Sequence, residues 1–584
     1  MKKVQYCIVL KGWSLAIISF LLLVSCSPLQ AAPQDAAAFS LTYEFSSPEI
    51  HTKSLNDITV DTVIIPGLMS SANAGEPLLP MHGAYILIPY GRAVDTLTVR
   101  SSPGQYIGIF DNLEQGSVYQ TTTSIPPDVK QQDMGTSQQT DSLYSVIGTY
   151  HLRGFQILVL ALRPISYDKQ TGEVLFYQKL TITITTKPDP GIRPYFRNVP
   201  KDYRLIEQKI DNPTQLSSYQ TAPSPQLVTA PYDVLLITTD EFKDEFKRLQ
   251  NYHETQGFQT EIRILGTDIP VSYNVQKTCQ YIRNYIREQY NESGIQFVLI
   301  GGDDNIIPAQ GLHLDGSPAH WLDVGCDIYY ACLDGPWDYN GDGIYGDPND
   351  GENGGDVDLL AEVIIGRACI GNNQELTQFI DKTIRYQETS ALYLSKALMV
   401  GEYLGYNTYG GDYVDQLIDG SEADGWSTVG ISSEEYVIDT LYDRDWEGGD
   451  WPKSALVDHI NQGVHLINHA GHSNWDMNLK LFIDELSLLE NEDLCFIYSQ
   501  GCDAGAFDLD EEVGDCIAEY LTVKQEYGAV AGIWNLRSGW WLPHGTDAPS
   551  QRYHREFWDA VFGEGICCMS QANQDSKEDL LYQV

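Results

Sequence analysis

From Tyr232 onward the chain alternates short apolar strands with amphipathic helices, and this alternation restricts the fold more than any other feature. Asp233-Val-Leu-Leu-Ile237 reads as a buried strand. Asp240 reads as the cap of a helix with Phe242, Phe246 and Leu249 on one face, ended by Gly257. Thr260-Glu-Ile-Arg-Ile264 is the next strand, Val275 to Tyr290 a helix, and Phe297-Val-Leu-Ile-Gly-Gly302 a strand entering a glycine turn. Apolar runs recur at Glu362 to Arg367, Ala397 to Glu402, Val464 to Asn468, Phe496 to Ser499 and Ala529 to Ile533. Repeated βα units imply a mostly parallel sheet covered on both faces, an α/β domain over 231–584. The chain stops at Val584 in a polar run, so the domain is expected to be truncated there.

Upstream the pattern is different. Lys179-Leu-Thr-Ile-Thr-Ile-Thr185 alternates at period two, and Leu158-Val-Leu-Ala-Leu162 and Ala84-Tyr-Ile-Leu-Ile88 are further strands, so 38–187 is expected to be an all-β, sandwich-like domain. The Ser/Gln/Thr-rich stretch 117–142 reads as a long loop. The Pro/Tyr/Gln/Ser-rich stretch 188–230, with Arg193, Arg197, Lys201 and Arg204, reads as an exposed linker. Residues 1–32 have the lysines, apolar run and small-residue end of a signal peptide. Leu23-Val24-Ser25-Cys26 resembles a lipoprotein signal, which makes a lipid anchor at Cys26 the one expected membrane contact. An exported protein, secreted or held at the cell surface or outer envelope, is expected. The net charge of −44 argues against nucleic acid as a partner. Of the 11 cysteines, two lie in the signal region and the other nine between Cys279 and Cys568, several inside apolar strands, so most read as core residues.

Two of the strands carry candidate chemistry. Val464-His-Leu-Ile-Asn-His-Ala-Gly-His472 ends in Gly-His, and Leu494-Cys-Phe-Ile-Tyr-Ser-Gln-Gly-Cys502 delivers a thiol onto a turn of small residues. Catalytic groups collect at the carboxyl ends of parallel strands, and an imidazole beside a thiol makes a nucleophile at neutral pH. Cys502 is therefore the candidate nucleophile and His472 the general base and acid. The amides of Cys502 and Gly471 are candidates for an oxyanion site. The alternative for each residue is a core cysteine and a surface histidine. His465, His469 and His472 as a metal cluster is a further alternative, weakened by their wide spacing; His465 and His469 are expected to pack beside the sheet.

Asp338-x-Asn340-x-Asp342-Gly343-Ile344 offers oxygen ligands at the spacing a hard cation requires, with Ile344 through its carbonyl and Asp347 beyond. Position twelve is Asn349, not Glu, so an EF-hand is not expected. Asp350, Glu352, Asp356 and Asp358 are available to complete the shell. The expected cofactor is structural Ca2+, with no organic cofactor. The alternative is an acidic loop without metal.

Asn468-His-Ala-Gly-His-Ser473 and Phe496-Ile-Tyr-Ser-Gln-Gly-Cys-Asp-Ala-Gly-Ala-Phe507 resemble the histidine and nucleophile segments of the gingipain family of cysteine peptidases. Glu362-Val-Ile-Ile-Gly-Arg-Ala368 and Gly301-Gly302-Asp303 resemble two further segments, and Leu152-Arg-Gly-Phe-Gln-Ile-Leu158 resembles gingipain propeptides. Ser473 departs from the glycine that usually follows the histidine. The resemblance implies a caspase-like catalytic domain behind a prodomain, and endopeptidase activity on protein or peptide substrates. It implies Glu402 as the acid that orients the histidine, a place Glu402 also earns by ending an apolar strand. It further implies Asp412 as an S1 carboxylate selecting Arg or Lys at P1, and Trp540 as a pocket-lining residue, with Trp534 and Trp541 as competitors. The β-domain would shield the site until cleavage within 188–230. A calcium-binding adhesion or scaffold protein with an inactive peptidase fold is the rival reading.

Overall fold

The computed structural model describes residues 38–583 apart from 56–57, 123–141, 190, 192–194, 221, 223–230, 314–322, 348–349, 351–356, 390 and 511. The signal region with Cys26, Arg193 of the linker, and Asn349, Glu352 and Asp356 of the acidic loop lie outside the described residues.

The N-terminal region is antiparallel β-structure. Lys179–Pro188 pairs on one side with Ala38–Glu44 and on the other with Arg92–Ser101. Its alternating residues Leu180, Ile182 and Ile184 are fully buried, as the period-two pattern requires. They face Leu158, Leu160 and Leu162 of a second sheet, in which Phe155–Leu162 lies between Leu79–Leu87 and Tyr144–Leu152. The opposite face of Phe155–Leu162 is also buried. Ile157 and Val159 pack on Phe196, Ile206, Leu216 and Tyr219.

Those last residues correct the reading of 188–230 as an exposed linker. Residues 195–220 contain the helices Pro200–Lys209 and Leu216–Gln220, which cover a β-sheet face. Arg197 is buried and not a loose cleavage site. Its guanidinium and that of Arg153 both donate to Asp202, which is fully buried. Burial opposes the charge on Asp202, but the two arginines hold its carboxyl below the usual range. Arg153 also donates its peptide N–H to Glu362 (3.0 Å), which takes a second from Leu333 (2.7 Å). The β-region is thereby tied to the α/β region through the Arg-Gly-Phe and Glu-Val segments singled out in the sequence.

Among the described residues the α/β part contains two parallel sheets instead of one. In the first the order is Thr260–Ile264, Val234–Thr238, Phe297–Gly301, Ile364–Ala368. In the second it is Val437–Tyr442, Lys396–Gly401, Leu466–Ala470, Cys495–Ser499, Ala529–Ile533. The three central strands of the second sheet are buried almost throughout, because helices cover both faces. They run side by side in the same direction, so the residues following Gly401, Ala470 and Ser499 emerge together at one edge.

Candidate active site

That edge carries the candidate residues. Glu402 follows Gly401, His472 follows Ala470 by one glycine, and Cys502 follows Ser499 by Gln500 and Gly501. Close approach of the loops depends on glycine. A Cβ on Gly471 would lie 2.2 Å from His469 Nε2 and 2.5 Å from the Glu402 carboxyl carbon, and one on Gly501 would lie 2.0 Å from Ser473 Oγ.

Cys502 is 1% exposed, and part of its cover comes from the β-region. Gln120–Thr121 forms a short antiparallel ladder with Trp540–Trp541. Thr122, the next residue, donates its N–H to the Gly539 carbonyl (2.9 Å), and its carbonyl accepts from Ser473 N (3.0 Å). Its hydroxyl lies 3.3 Å from Cys502 Sγ and 3.0 Å from the Gln500 carbonyl. Gly539 N donates to the same sulfur (3.1 Å). Burial pushes the Cys502 thiol up to about 12, with Asp503 adding to the rise and the Thr122 and Gly539 contacts opposing it.

His472 donates from Nε2 to the Tyr403 carbonyl (3.1 Å), while its Nδ1 is buried without a partner. A carbonyl only accepts, so the hydrogen sits on Nε2 and Nδ1 presents a lone pair. Tyr403 is fixed in turn, its N–H donating to Asp443 (2.7 Å). No hydrogen bond joins the His472 ring to Cys502; the sulfur is engaged by Thr122 and Gly539.

Glu402 differs from its expected role. It meets His472 through the backbone, accepting His472 N–H at 2.9 Å, while its other oxygen lies 3.1 Å from His469 Nε2. The group orienting the His472 ring is the Tyr403 carbonyl. Burial alone would raise the Glu402 carboxyl; the hydrogen bond from His469 is the main influence that brings it below its ordinary value. His469 is buried as expected but bonded on both sides, with Nδ1 2.8 Å from Ser499 Oγ. His465 is likewise a core residue, held by Tyr386 and the Leu394 carbonyl. None of the three histidines belongs to a cluster of potential metal ligands among the described residues.

Asp412 lies in the short helix Gly410–Val414 and is ion-paired to Arg444, which also pairs with Asp415. Its charge is thus met by the chain itself. Trp540 pairs through its backbone with Thr121, but the indole that touches the inserted segment is that of Trp541, donating from Nε1 to the Thr121 carbonyl (3.1 Å).

At the acidic loop, ligand oxygens of Asp338, Asp342 and Asp350 lie within 4.8 Å of one another. Asp350 is 6% exposed, and its Oδ2 and Asp338 Oδ1 are buried without partners. Asn340 turns its amide nitrogen toward Asp342 and Asp350 (3.0 and 2.7 Å). The Ile344 N–H donates to Asp342, and the Asp347 carbonyl accepts from Asp350 N. Orphaned carboxylate oxygens on an oxygen-only donor set fit a hard divalent cation.

A thiol, an imidazole with a free lone pair and a carboxylate thus follow adjoining ends of one parallel sheet of an α/β protein. The chain belongs to Peptidase family C25, whose profile matches residues 228–583. Lys-gingipain of Porphyromonas gingivalis is 21% identical over 543 residues, covering 86% of this chain but 27% of that protein. Gingipain R2 of the same species is 22% identical over 480 residues, 78% of this chain and 57% of its own length. The chain therefore spans between about a quarter and three-fifths of these relatives. Among solved structures, a complex of Porphyromonas gingivalis RgpB pro- and mature domains aligns over 60% of this chain and 76% of that one, with 20% identity and a TM-score of 0.41.

Proposed function

We infer that the chain is an exported cysteine endopeptidase made as a zymogen, with Cys502 as nucleophile and His472 Nδ1 as the base. The observation that carries this is Thr122. A segment of the N-terminal β-region lies along the site, making the backbone hydrogen bonds an extended peptide would make, with Thr122 against the Cys502 sulfur. A groove that holds one extended backbone beside a thiol is suited to hold another. Once the strand leaves, His472 takes the thiol proton and the thiolate attacks the scissile carbonyl. The amides of Cys502 and Gly471 are proposed to receive the oxyanion, and the imidazolium returns its proton to the leaving amine. Water then hydrolyses the thioester by the same base.

A basic P1 residue is the proposed substrate class, on the names of the Lys-gingipain relatives. Asp412 would serve it only by exchanging Arg444 for the substrate cation, and the indoles of Trp540 and Trp541 would line the approach. The Asp338/Asn340/Asp342/Asp350 loop is proposed to bind Ca2+ as a structural staple. Protein processed to remove the β-region should hydrolyse peptide amides with Arg or Lys at P1 faster than those with Gln. Cys502→Ala should abolish this. Persistent turnover by the alanine variant would sink the assignment. Processed protein, freed of the β-region, that neither turns over nor labels at Cys502 with an alkylating probe would be the inactive scaffold instead.

A further inference from the structure

Behind the catalytic edge runs a hydrogen-bonded chain that the peptidase chemistry does not call for. His469 lies at its centre, fully buried, with Nε2 3.1 Å from Glu402 Oε1 and Nδ1 2.8 Å from Ser499 Oγ. Glu402 Oε2 accepts the peptide N–H of His472 at 2.9 Å. Ser499 Oγ accepts the peptide N–H of Gly501 at 3.2 Å and Asn478 Nδ2 at 2.8 Å. Asn478 Nδ2 also reaches Ser473 Oγ at 2.5 Å.

The donors and acceptors in this chain fit one direction only. An ionised carboxylate accepts and does not donate, so His469 carries its hydrogen on Nε2. Nδ1 is then an acceptor, which requires Ser499 to donate its hydroxyl hydrogen to it. The lone pairs of Ser499 remain for the Gly501 and Asn478 N–H groups. Every member is satisfied, and the two ends are the peptide groups at His472 and at Gly501, the residue before Cys502. The arrangement resembles a hydrolase triad, but Ser499 is 1% exposed and its oxygen already accepts two N–H groups, so it is no nucleophile.

We propose that His469 is a positioning residue that couples the two catalytic loops, holding the His472 turn through Glu402 and the Cys502 turn through Ser499. The inference rests on the peptidase reading of the same site. Its physical content is that neither loop can shift without breaking a hydrogen bond to a buried side chain. The glycines at 471 and 501 bring the loops onto this chain at distances no Cβ would allow. Glu402 acts on catalysis through this link and not through the His472 ring.

The test uses the full chain and its processed form, with His469→Phe, His469→Gln and Ser499→Ala. Turnover is normalised to titrated active sites, so that loss of folded protein does not count. For His469→Phe we expect kcat to fall about 100-fold with KM within about twofold, the scale for catalytic groups displaced by about 1 Å. His469→Gln, which keeps an N–H for Glu402, should recover part of that loss. Amide hydrogen exchange of the full chain supplies a readout independent of activity. Peptides covering 471–473 and 500–503 should exchange faster together in His469→Phe and in Ser499→Ala, while the first parallel sheet is unchanged. A per-site kcat equal to wild type, or unaltered exchange in both loops, would overturn the proposal. If wild-type protein hydrolyses nothing, the peptidase reading fails and the exchange measurement alone decides the coupling.

Discussion

Release of the Thr122 segment should change the chemistry of Cys502 by a calculable amount. In the intact chain, burial holds the thiol up to about 12. At pH 8 such a group is ionised to about one part in ten thousand, whereas a solvated cysteine with a pKa of about 8.5 is about one quarter thiolate. The ionised fraction therefore rises by roughly 2,000-fold on release. A thiolate loses nucleophilicity as its pKa falls, with a Brønsted coefficient of about 0.45, which takes back a factor of roughly 40 over about 3.5 units. The net acceleration expected from ionisation is roughly 60-fold, and steric opening of the cleft can only add to it. Alkylation by a small neutral haloacetamide, followed residue by residue by peptide mapping before and after removal of the β-region, measures this. Rates at Cys502 within about threefold of each other would refute both the burial argument and the role given to Thr122.

Other expectations concern stability and metal. Asp202→Asn leaves Arg153 and Arg197 with one neutral partner, and removal of the charge from a buried pair should lower the urea-derived stability by about 3–5 kcal/mol. The Asp202 carboxyl is held low when folded, so its contribution is present above the unfolded carboxylate pKa and lost as pH falls through the folded one; the deficit of the variant should shrink in acid. Glu519 has the opposite sign. Burial and Asp303 push its carboxyl up to about 9, so the folded state keeps a proton that the unfolded state loses above about 4.3, and stability falls as pH rises between those values. Glu519→Gln should therefore gain stability relative to wild type at pH 8 and little at pH 4, read from paired denaturant titrations. Calcium added to chelator-treated protein should raise Tm by several degrees, the size of about 1–3 kcal/mol of linked binding, and Asp350→Asn should remove most of that rise.

The parts of this molecule legible in the sequence are those that packing writes into the side chains. Cys502, His472 and Glu402 each follow an apolar run with glycine close by, and a parallel sheet admits few ways to arrange such ends. The number of sheets was not legible. Ile364–Ala368 and Lys396–Gly401 are joined by an ordinary helix, Asn373–Glu388, yet belong to different sheets. Residues 195–220 read as linker because their buried positions, Phe196, Ile206, Leu216 and Tyr219, are spaced too irregularly to announce a face. They cover a surface whose shape comes from strands elsewhere. Thr122 was invisible for a different reason. It is held by its backbone N–H and C=O and by one hydroxyl, groups that the many Ser and Thr residues of such a stretch possess alike.

The same distinction explains why the position of Glu402 at a strand end is legible in the sequence and its hydrogen-bond partners are not. A carboxylate has two oxygens to offer, and what they meet depends on which side chain the neighbouring strand turns toward them. In the register observed, His469 lies on Leu466–Ala470 opposite Val400 of the Glu402 strand on one side and Ser499 of the Cys502 strand on the other. With an imidazole at that position, one Glu402 oxygen is taken, the other is left for the His472 peptide group, and the His472 ring turns to the Tyr403 carbonyl. A non-polar residue at 469 would leave that Glu402 oxygen, and the hydroxyl hydrogen of Ser499, buried without a partner, at a cost of about 1–3 kcal/mol for each group or more for the charged one. The identity of residue 469 therefore sets how Glu402 reaches His472, which it does through the His472 backbone and not through the imidazole.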